Sequence, residues 1–227
     1  MEMFSDSFVK AATDYRFLLN RSYPQRATIK LVGDRYQLSG QERSLLYRGV
    51  SDRTSAELRR SKIVRDAGDD PLFIDGYNIL FTIGNYLAGR PVYVSDDGIV
   101  RDAGELRGRF GNKKIFERTL ELVEEFMTSH QSSEFHFFLD EPVSNSGRLA
   151  SRLTTFMAGH NLSGTARTVQ SPDHELITIE KGLVCSSDSV IMTRALTGIY
   201  DIPGHILTER FHARLADISD LPLDGTA

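Results

Sequence analysis

From residue 71 onward, short apolar runs alternate with stretches of helical periodicity. Leu72-Phe73-Ile74 predicts a first strand, and a helix is predicted over 78–87. Further strands are predicted at 135–139, 166–169, 183–185 and 199–200, and further helices at 114–129, 146–158, 173–180, 189–196 and 204–214. Strands that alternate with helices are typical of βα units that build a parallel sheet. The sequence therefore predicts an α/β fold in which helices flank a parallel sheet.

One segment interrupts this alternation. Val92-Tyr93-Val94 and Ile99-Val100 are separated by Asp97-Gly98, a pair that favours a tight turn between antiparallel strands. We therefore predict a β-hairpin at 91–100, inserted between the first helix and the long helix at 114–129. In this interpretation Asp97 contributes only to the turn.

The residues before this region form a second, smaller domain in our interpretation. The run 66–71 is small and polar and ends in Pro71, so neither a helix nor a strand is expected to cross it. Helical spacing predicts helices over 5–20 and 40–49, and turns are predicted at Tyr23-Pro24 and Gly33-Asp34. We predict a small, basic, mainly helical domain at 1–66 and the sheet domain at 71–227.

Charge is distributed unevenly along the chain. Residues 1–66 hold 13 Lys+Arg and 8 Asp+Glu, whereas residues 67–227 hold 14 and 23. A basic segment suits phosphate binding, and an acidic segment suits metal binding. Solvated surfaces also vary in charge by this amount, so both interpretations stay open.

Composition argues against several classes of protein. The single cysteine, Cys185, excludes an internal disulfide and a cysteine-based zinc site. There is no apolar run long enough to span a bilayer and no signal-peptide pattern, so we expect a cytoplasmic protein without a membrane partner. Neither a Walker motif nor G-x-G-x-x-G is present, which argues against nucleoside triphosphate or dinucleotide chemistry. A homo-oligomer is compatible with the sequence, which does not determine the oligomeric state.

Four aspartates follow predicted strands, namely Asp75, Asp140, Asp173 and Asp188. The carboxyl ends of parallel strands lie along one edge of a sheet, so we expect these carboxylates to converge. Neighbouring carboxylates raise one another's pKa unless a cation neutralises them, and Mg²⁺ and Mn²⁺ prefer oxygen ligands. The pattern therefore predicts a Mg²⁺ or Mn²⁺ site. For each single aspartate, an ordinary turn or helix N-cap is the alternative.

Four segments, in this order, resemble the NYN-type nucleases of the PIN-like class. Phe73-Ile74-Asp75-Gly76-Tyr77-Asn78 resembles the opening motif, in which a metal-binding aspartate precedes Gly-Tyr-Asn. Phe138-Leu139-Asp140 resembles the second acidic strand end. Ser171-Pro172-Asp173-His174-Glu175 is similar to a helix start of the Ala-Asp-Asp-x-Ile type, and Val184-Cys185-Ser186-Ser187-Asp188 to the Val-x-Thr-Ser-Asp motif.

The resemblance covers residues 71–205 and implies a PIN-like domain, which has a Rossmann-like fold. The whole chain also resembles an uncharacterised prokaryotic family that joins a small N-terminal domain of unknown function to a PIN-like domain. That second resemblance implies no activity. The inserted hairpin and Pro172 before Asp173 depart from the minimal PIN-like pattern.

The first resemblance implies a metal-dependent endonuclease, with RNA preferred to DNA as the nucleic-acid partner. Its four aspartates are implied to bind the metal or to position the attacking water. Asn78 either orients a carboxylate or a water molecule, or caps its helix, and these alternatives stay open. The candidate substrate-binding residues are basic and lie near the long helix or at the start of the next one: Arg101, Arg107, Arg109, Lys113 and Arg148. Asp102, beside Arg101, is a secondary candidate at the rim of the site.

Three classes of function follow from these observations. The first is a metal-dependent endonuclease, more specifically a ribonuclease. The second is a non-catalytic nucleic-acid-binding module that keeps the PIN-like fold without competent geometry. The third is a phosphatase, although that class normally uses two acids in a D-x-D arrangement, and Asp75-Gly76-Tyr77 lacks the second acid.

Overall fold

The structure is a computed structural model that describes residues 4–104 and 112–224. Within these ranges there are ten α-helices: α1 (Asp6–Asn20), α2 (Gln25–Arg35), α3 (Gly40–Gly49), α4 (Arg53–Ser61), α5 (Gly76–Leu87), α6 (Lys113–Ser129), α7 (Ser146–Gly159), α8 (Pro172–Leu176), α9 (Ser189–Arg194) and α10 (Ile202–Phe211). The strands in the same ranges are β1 (Ile63–Val64), β2 (Leu72–Asp75), β3 (Val92–Val94), β4 (Val100–Asp102), β5 (Phe135–Asp140), β6 (Gly164–Val169), β7 (Leu183–Cys185), β8 (Ile199–Tyr200) and β9 (Ala216–Asp217). Among the described residues, no helix is both long enough and apolar enough to cross a bilayer.

The chain forms two compact units, and both are discontinuous in sequence. The first consists of Met1–Ser61, Arg90–Glu105 and Arg214–Ala227, and the second of Lys62–Gly89 and Leu106–Ala213. The predicted hairpin therefore groups with the N-terminal helices and not with the large sheet. The first unit contains 14 Lys+Arg and 14 Asp+Glu, so the basic excess of residues 1–66 does not extend to the whole unit.

A six-stranded parallel sheet organises the second unit. Its strand order is β1-β8-β7-β2-β5-β6, and every described strand pair is parallel. Leu72 and Ile74 of β2 are fully buried in a core formed with α5, α6, α7 and α10. The long helix predicted over 114–129 is present as α6, and it buries Leu120, Val123 and Phe126 on one face. The predicted α/β fold with a parallel sheet and flanking helices is confirmed.

A separate core holds the first unit together. Helices α1, α2 and α3 bury Phe8, Tyr15 and Leu46 together with Tyr93 of β3 and Ile218 near the C-terminus. The predicted hairpin is confirmed, because β3 and β4 are antiparallel and β9 adds a third strand beside β3. The hairpin needs glycine at position 98, where φ is 88°.

Asp97 has a larger role than the predicted turn. Its side chain is fully buried, and its Oδ2 lies 2.6 Å from Arg59 Nε and 2.8 Å from Arg101 Nη2. Burial raises the pKa of Asp97, but the two guanidinium groups outweigh that effect and hold the pKa well below its usual range. The neighbouring Asp96 accepts a hydrogen bond from Arg16 at 2.6 Å. Asp97 thus neutralises two buried arginines, which turn propensity alone does not predict.

Some predicted local features of the N-terminal region are wrong. The turn predicted at Gly33-Asp34 does not form, because both residues lie inside α2. An added Cβ at Gly33 would collide with the Arg43 guanidinium, and Arg43 also pairs with Asp34 at 2.9 Å. A glycine here permits close packing against α3 and does not end the helix. Helices α2 and α4 and strands β1 and β9 were not predicted.

Candidate functional site

The four predicted aspartates follow four strands that are neighbours in the sheet. Asp75 ends β2 and Asp140 ends β5. Asp173 lies in α8, directly after β6, and Asp188 follows β7 by three residues. In the strand order β7-β2-β5-β6 these positions all fall at the carboxyl edge of the sheet. The structure therefore places at one edge side chains that are up to 113 residues apart in the sequence.

This edge contains the point at which the strand order reverses. After β2 the chain adds β5 and then β6 on one side, and it then crosses to add β7 and β8 on the other side of β2. In open α/β sheets such a reversal leaves a crevice outside the carboxyl ends of the two strands that flank it, and ligands bind there. Asp75 ends β2 and Ser186 follows β7, the two strands that flank the reversal, and the Ser186 Oγ donates a hydrogen bond of 2.8 Å to Asp75 Oδ2.

Asp75 is the most buried of the four acids, with 7% of its surface exposed. Burial, together with smaller contributions from the carboxylates of Asp140 and Asp173, raises the pKa of this carboxyl to about 7, although the hydrogen bond from the Ser186 hydroxyl opposes the increase. A carboxyl group with this pKa is only partly ionised near neutral pH. Among residues 4–104 and 112–224, no cationic side chain forms an ion pair with Asp75 that would favour its ionised form.

The other three acids are more accessible. Asp140 and Asp188 are half-buried and Asp173 is exposed. Burial raises the pKa of Asp140. Burial also raises the pKa of Asp173, with further contributions from the carboxylates of Asp188 and Asp140. The four acids therefore interact electrostatically as one group.

Asp188 and Asn78 have additional structural roles. Asp188 caps α9, because its Oδ1 accepts hydrogen bonds from the backbone N–H groups of Val190 at 2.7 Å and Ile191 at 3.2 Å. Asn78 lies inside the first turn of α5 and does not cap it. Its Oδ1 accepts from the backbone N–H of Ser187 at 2.9 Å and from the Ser187 hydroxyl at 3.0 Å. Asn78 thus joins the start of α5 to the segment that carries Asp188.

The side chains do not form a complete metal cage in this conformation. Among residues 4–104 and 112–224, no group of three or more His, Cys, Asp or Glu side chains is arranged to hold a metal ion. The four aspartates nevertheless suit a hard divalent cation, because such ions prefer carboxylate oxygens as ligands. The raised pKa of Asp75 also indicates that positive charge would be favourable at this position.

The predicted substrate-binding residues lie in different environments. Lys113 begins α6 and Arg148 lies in the first turn of α7, and both are exposed. Arg101 is only 3% exposed, and its guanidinium pairs with Asp97. Asp102 is 5% exposed and belongs with Arg101 to the first unit, whereas the four aspartates belong to the second. Arg107 and Arg109 lie outside the described residues.

Two serines of the carboxyl edge, and one lysine at the opposite, amino edge of the sheet, were not assigned a role in the site from the sequence. Ser186 and Ser187 lie in the quoted Val184–Asp188 segment, and their hydroxyls contact Asp75 and Asn78. The third is Lys62, whose ammonium group donates to the carbonyls of Met192, Thr193 and Ala195 at 3.1, 2.7 and 2.8 Å. Lys62 thus stabilises the C-terminal end of α9, the helix capped by Asp188. No sequence signal indicates this contact, because it joins positions 130 or more apart.

The fold and the site define a protein of two units, in which a parallel α/β sheet carries an acidic carboxyl edge. Residues 64–205 match the family described as "Domain of unknown function (DUF5616)", and because this is more than half of the chain, the chain belongs to that family. Residues 7–62 match "Protein of unknown function (DUF434)". The predicted arrangement of a small N-terminal domain before a second domain is confirmed by these matches. No PIN or NYN family model matches.

The chain is also similar to a protein from an archaeon. The chain is 28% identical over 188 residues to "Uncharacterized protein MJ0935" of Methanocaldococcus jannaschii, and the alignment covers 82% of this chain and 89% of the relative. No solved structure matches the chain significantly. The two units thus occur together in a similar archaeal protein.

Proposed function

We propose that the chain is a PIN-like, divalent-metal-dependent endonuclease that hydrolyses phosphodiester bonds in RNA. The observation that carries the proposal is the convergence of four strand-end aspartates beside the reversal of strand order. Their mutual electrostatic interaction and the raised pKa of Asp75 support it. The ordered likeness of the four motifs to NYN-type nucleases supplies the reaction class.

In this proposal Asp75, Asp140 and Asp188 hold Mg²⁺ or Mn²⁺ through carboxylate oxygens. The cation supplies Lewis-acid stabilisation of the phosphodiester and of the leaving oxygen. Ser186 holds Asp75 in place through its hydrogen bond. Asp173 has the most exposed carboxylate of the four and accepts the proton of the attacking water.

Positioning and substrate binding involve further residues. Asn78, through Ser187, keeps the Asp188 segment against the start of α5. Exposed Arg148 lies in the first turn of α7, which follows the carboxyl end of β5, so it is suited to a phosphate beside Asp140. Lys113 is an additional exposed cation. Arg101 has no part in this proposal, because its charge is already neutralised inside the first unit.

A non-catalytic nucleic-acid-binding module is the second candidate. It is favoured by the absence, among the described residues, of three metal-type side chains arranged around one point. Such a module would keep the fold and bind the polymer, but it would not cleave it with any cation.

The two candidates are distinguished by incubating the purified chain with labelled RNA and labelled DNA in Mg²⁺, Mn²⁺ or EDTA. Asp75→Asn and Asp188→Asn are compared with Asp69→Asn, which changes an exposed aspartate of the same unit. Asparagine also caps helices well, so Asp188→Asn is expected to preserve α9. Cleavage that requires metal and is lost in both site variants supports the nuclease. Binding without cleavage under all conditions supports the second candidate.

A further inference from the structure

An exposed surface of the first unit combines large apolar side chains with basic ones. Phe17 is 53% exposed, Tyr23 is 53% exposed and Leu31 is 60% exposed. Phe17 belongs to α1, Leu31 to α2, and Tyr23 to the turn that joins them. Exposed apolar side chains mark a binding surface where they occur together and are bordered by polar residues. These three lie on two consecutive helices and the turn between them, beside several basic residues.

The cations of this surface have no acidic partners close by. Arg21, Arg26 and Lys30 are exposed, and no carboxylate of residues 4–104 or 112–224 lies within ion-pair distance of them. The acid that shares the outer face of α2 is already neutralised, because Asp34 pairs with Arg43 at 2.9 Å. The outer face of α2 is thus a net positive surface.

Helical geometry brings these groups together. Arg26 and Lys30 are four residues apart in α2 and lie on one face, and Leu31 follows Lys30 on the adjoining side of the helix. In α1, the Arg21 guanidinium lies 3.9 Å from the centre of the Phe17 ring. Helices α1 and α2 are joined by a short turn, in which the backbone N–H of Tyr23 donates to Leu18.

The acids of the same unit do not cancel this charge. The side chains of Asp96 and Asp97 are 1% and 0% exposed, and they neutralise buried arginines. These buried ion pairs remove positive and negative charge from the surface together. The positive charge of the outer face of α2 therefore comes from Arg26 and Lys30 themselves, and it attracts anions locally.

We propose that this surface, the α1–α2 patch, binds single-stranded RNA. The patch is defined by Phe17, Arg21, Tyr23, Arg26, Lys30 and Leu31. The basic residues suit the phosphates, and the exposed rings suit unpaired bases, which stack on aromatic side chains. A duplex would use the cations alone, because its bases are already stacked. The choice of ligand rests on the proposed function, but the binding itself requires neither the aspartates nor a metal.

The test measures the affinity of the full chain for a labelled oligouridylate by fluorescence anisotropy in EDTA, over a series of salt concentrations. One double variant, Phe17→Ala with Tyr23→Ala, removes the rings. A second, Arg26→Gln with Lys30→Gln, removes two charges. The control, Arg65→Gln with Lys181→Gln, removes two exposed charges from the second unit. All six positions are exposed, so unchanged thermal unfolding is expected and is checked for each variant.

The two patch variants are expected to change RNA binding in different ways. Loss of the rings weakens binding at least about tenfold and leaves the salt dependence unchanged. Loss of the two charges lowers the slope of log affinity against log salt by about 1.4, because each phosphate contact on a single strand contributes about 0.7. The control variant is expected to bind like the wild type.

Three results would overturn the proposal. One is a wild-type chain that does not bind the oligonucleotide, and another is equal binding by the patch variants and the wild type. The third is unchanged RNA affinity combined with lost binding to phosphatidylserine–phosphatidylcholine vesicles, which would assign the patch to a lipid surface. Patch-dependent binding in EDTA without metal-dependent cleavage would instead refute the nuclease proposal and support this one.

Discussion

Replacing Asp75 with asparagine is expected to stabilise the metal-free protein at alkaline pH and to change little at acidic pH. Asp75 is buried, and its pKa is raised from 3.8 to about 7. Between pH 3.8 and about pH 7, Asp75 of the folded protein keeps a proton that the unfolded chain has released. The free energy of unfolding therefore falls as the pH rises through this window.

The expected change in the free energy of unfolding follows from the change in the pKa of Asp75. One pKa unit corresponds to about 1.4 kcal/mol, so the change from 3.8 to about 7 corresponds to a loss of about 4 kcal/mol above the window. Asparagine has nearly the same shape, and its amide oxygen can accept the hydrogen bond from Ser186. It carries no charge, so Asp75→Asn avoids this loss.

The assay is urea unfolding of both proteins in EDTA at two pH values. At about pH 4.5 most of the effect is still absent, and at about pH 8 it is nearly complete. EDTA is required because a bound cation would neutralise the wild-type carboxylate. Asp69→Asn, at an exposed position, serves as the control and is expected to follow the wild type at both pH values. A variant that is no more stable than the wild type at the higher pH would refute the burial argument. Equal stabilisation at both pH values would refute its electrostatic origin.

Three further predictions concern other parts of the molecule. Asp97→Ala is expected to lower the free energy of unfolding by about 3–5 kcal/mol in urea melts, because two buried guanidinium groups lose their counter-charge; a loss below about 1 kcal/mol would contradict this. Burial lowers the pKa of His130 and His205 below 6.5, so their protonation destabilises the fold and stability is lost as the pH falls through 6.5. Replacing both with glutamine should reduce the acid-induced decrease in Tm, and an unchanged decrease would exclude these histidines as its cause. Lys62→Met is expected to cost about 1–3 kcal/mol in urea melts by leaving three carbonyls without their charged donor; Lys181→Met, at an exposed position, should cost nothing measurable.

The fold of the second unit follows closely from local patterns. Its strands are short apolar runs and its helices have one apolar face, so periodicity locates β2, β5, β7 and α6. The acids were predictable for a related reason, because a parallel sheet places every strand end of one polarity along the same edge. Topology alone thus brings Asp75 and Asp188 to one edge.

The first unit was harder to predict because long-range contacts determine it. Helix α4 has few apolar residues, and its Arg59 is buried only because Asp97, 38 residues later, neutralises it. Arg101, which pairs with the same Asp97, was assigned to phosphate binding because the sequence does not show that this partner is buried beside it. Periodicity detects apolar faces, but it does not detect buried ion pairs.

The composition of the first unit has a consequence for synthesis on the ribosome. Its core includes Ile218, which is fully buried, and Leu223, and both are translated after all of the second unit. Helices α1, α2 and α3 therefore keep part of their apolar surface uncovered until these later residues have emerged. A nascent chain that stalls before residue 214 would expose this surface to chaperones or to aggregation, even where the large sheet has already formed.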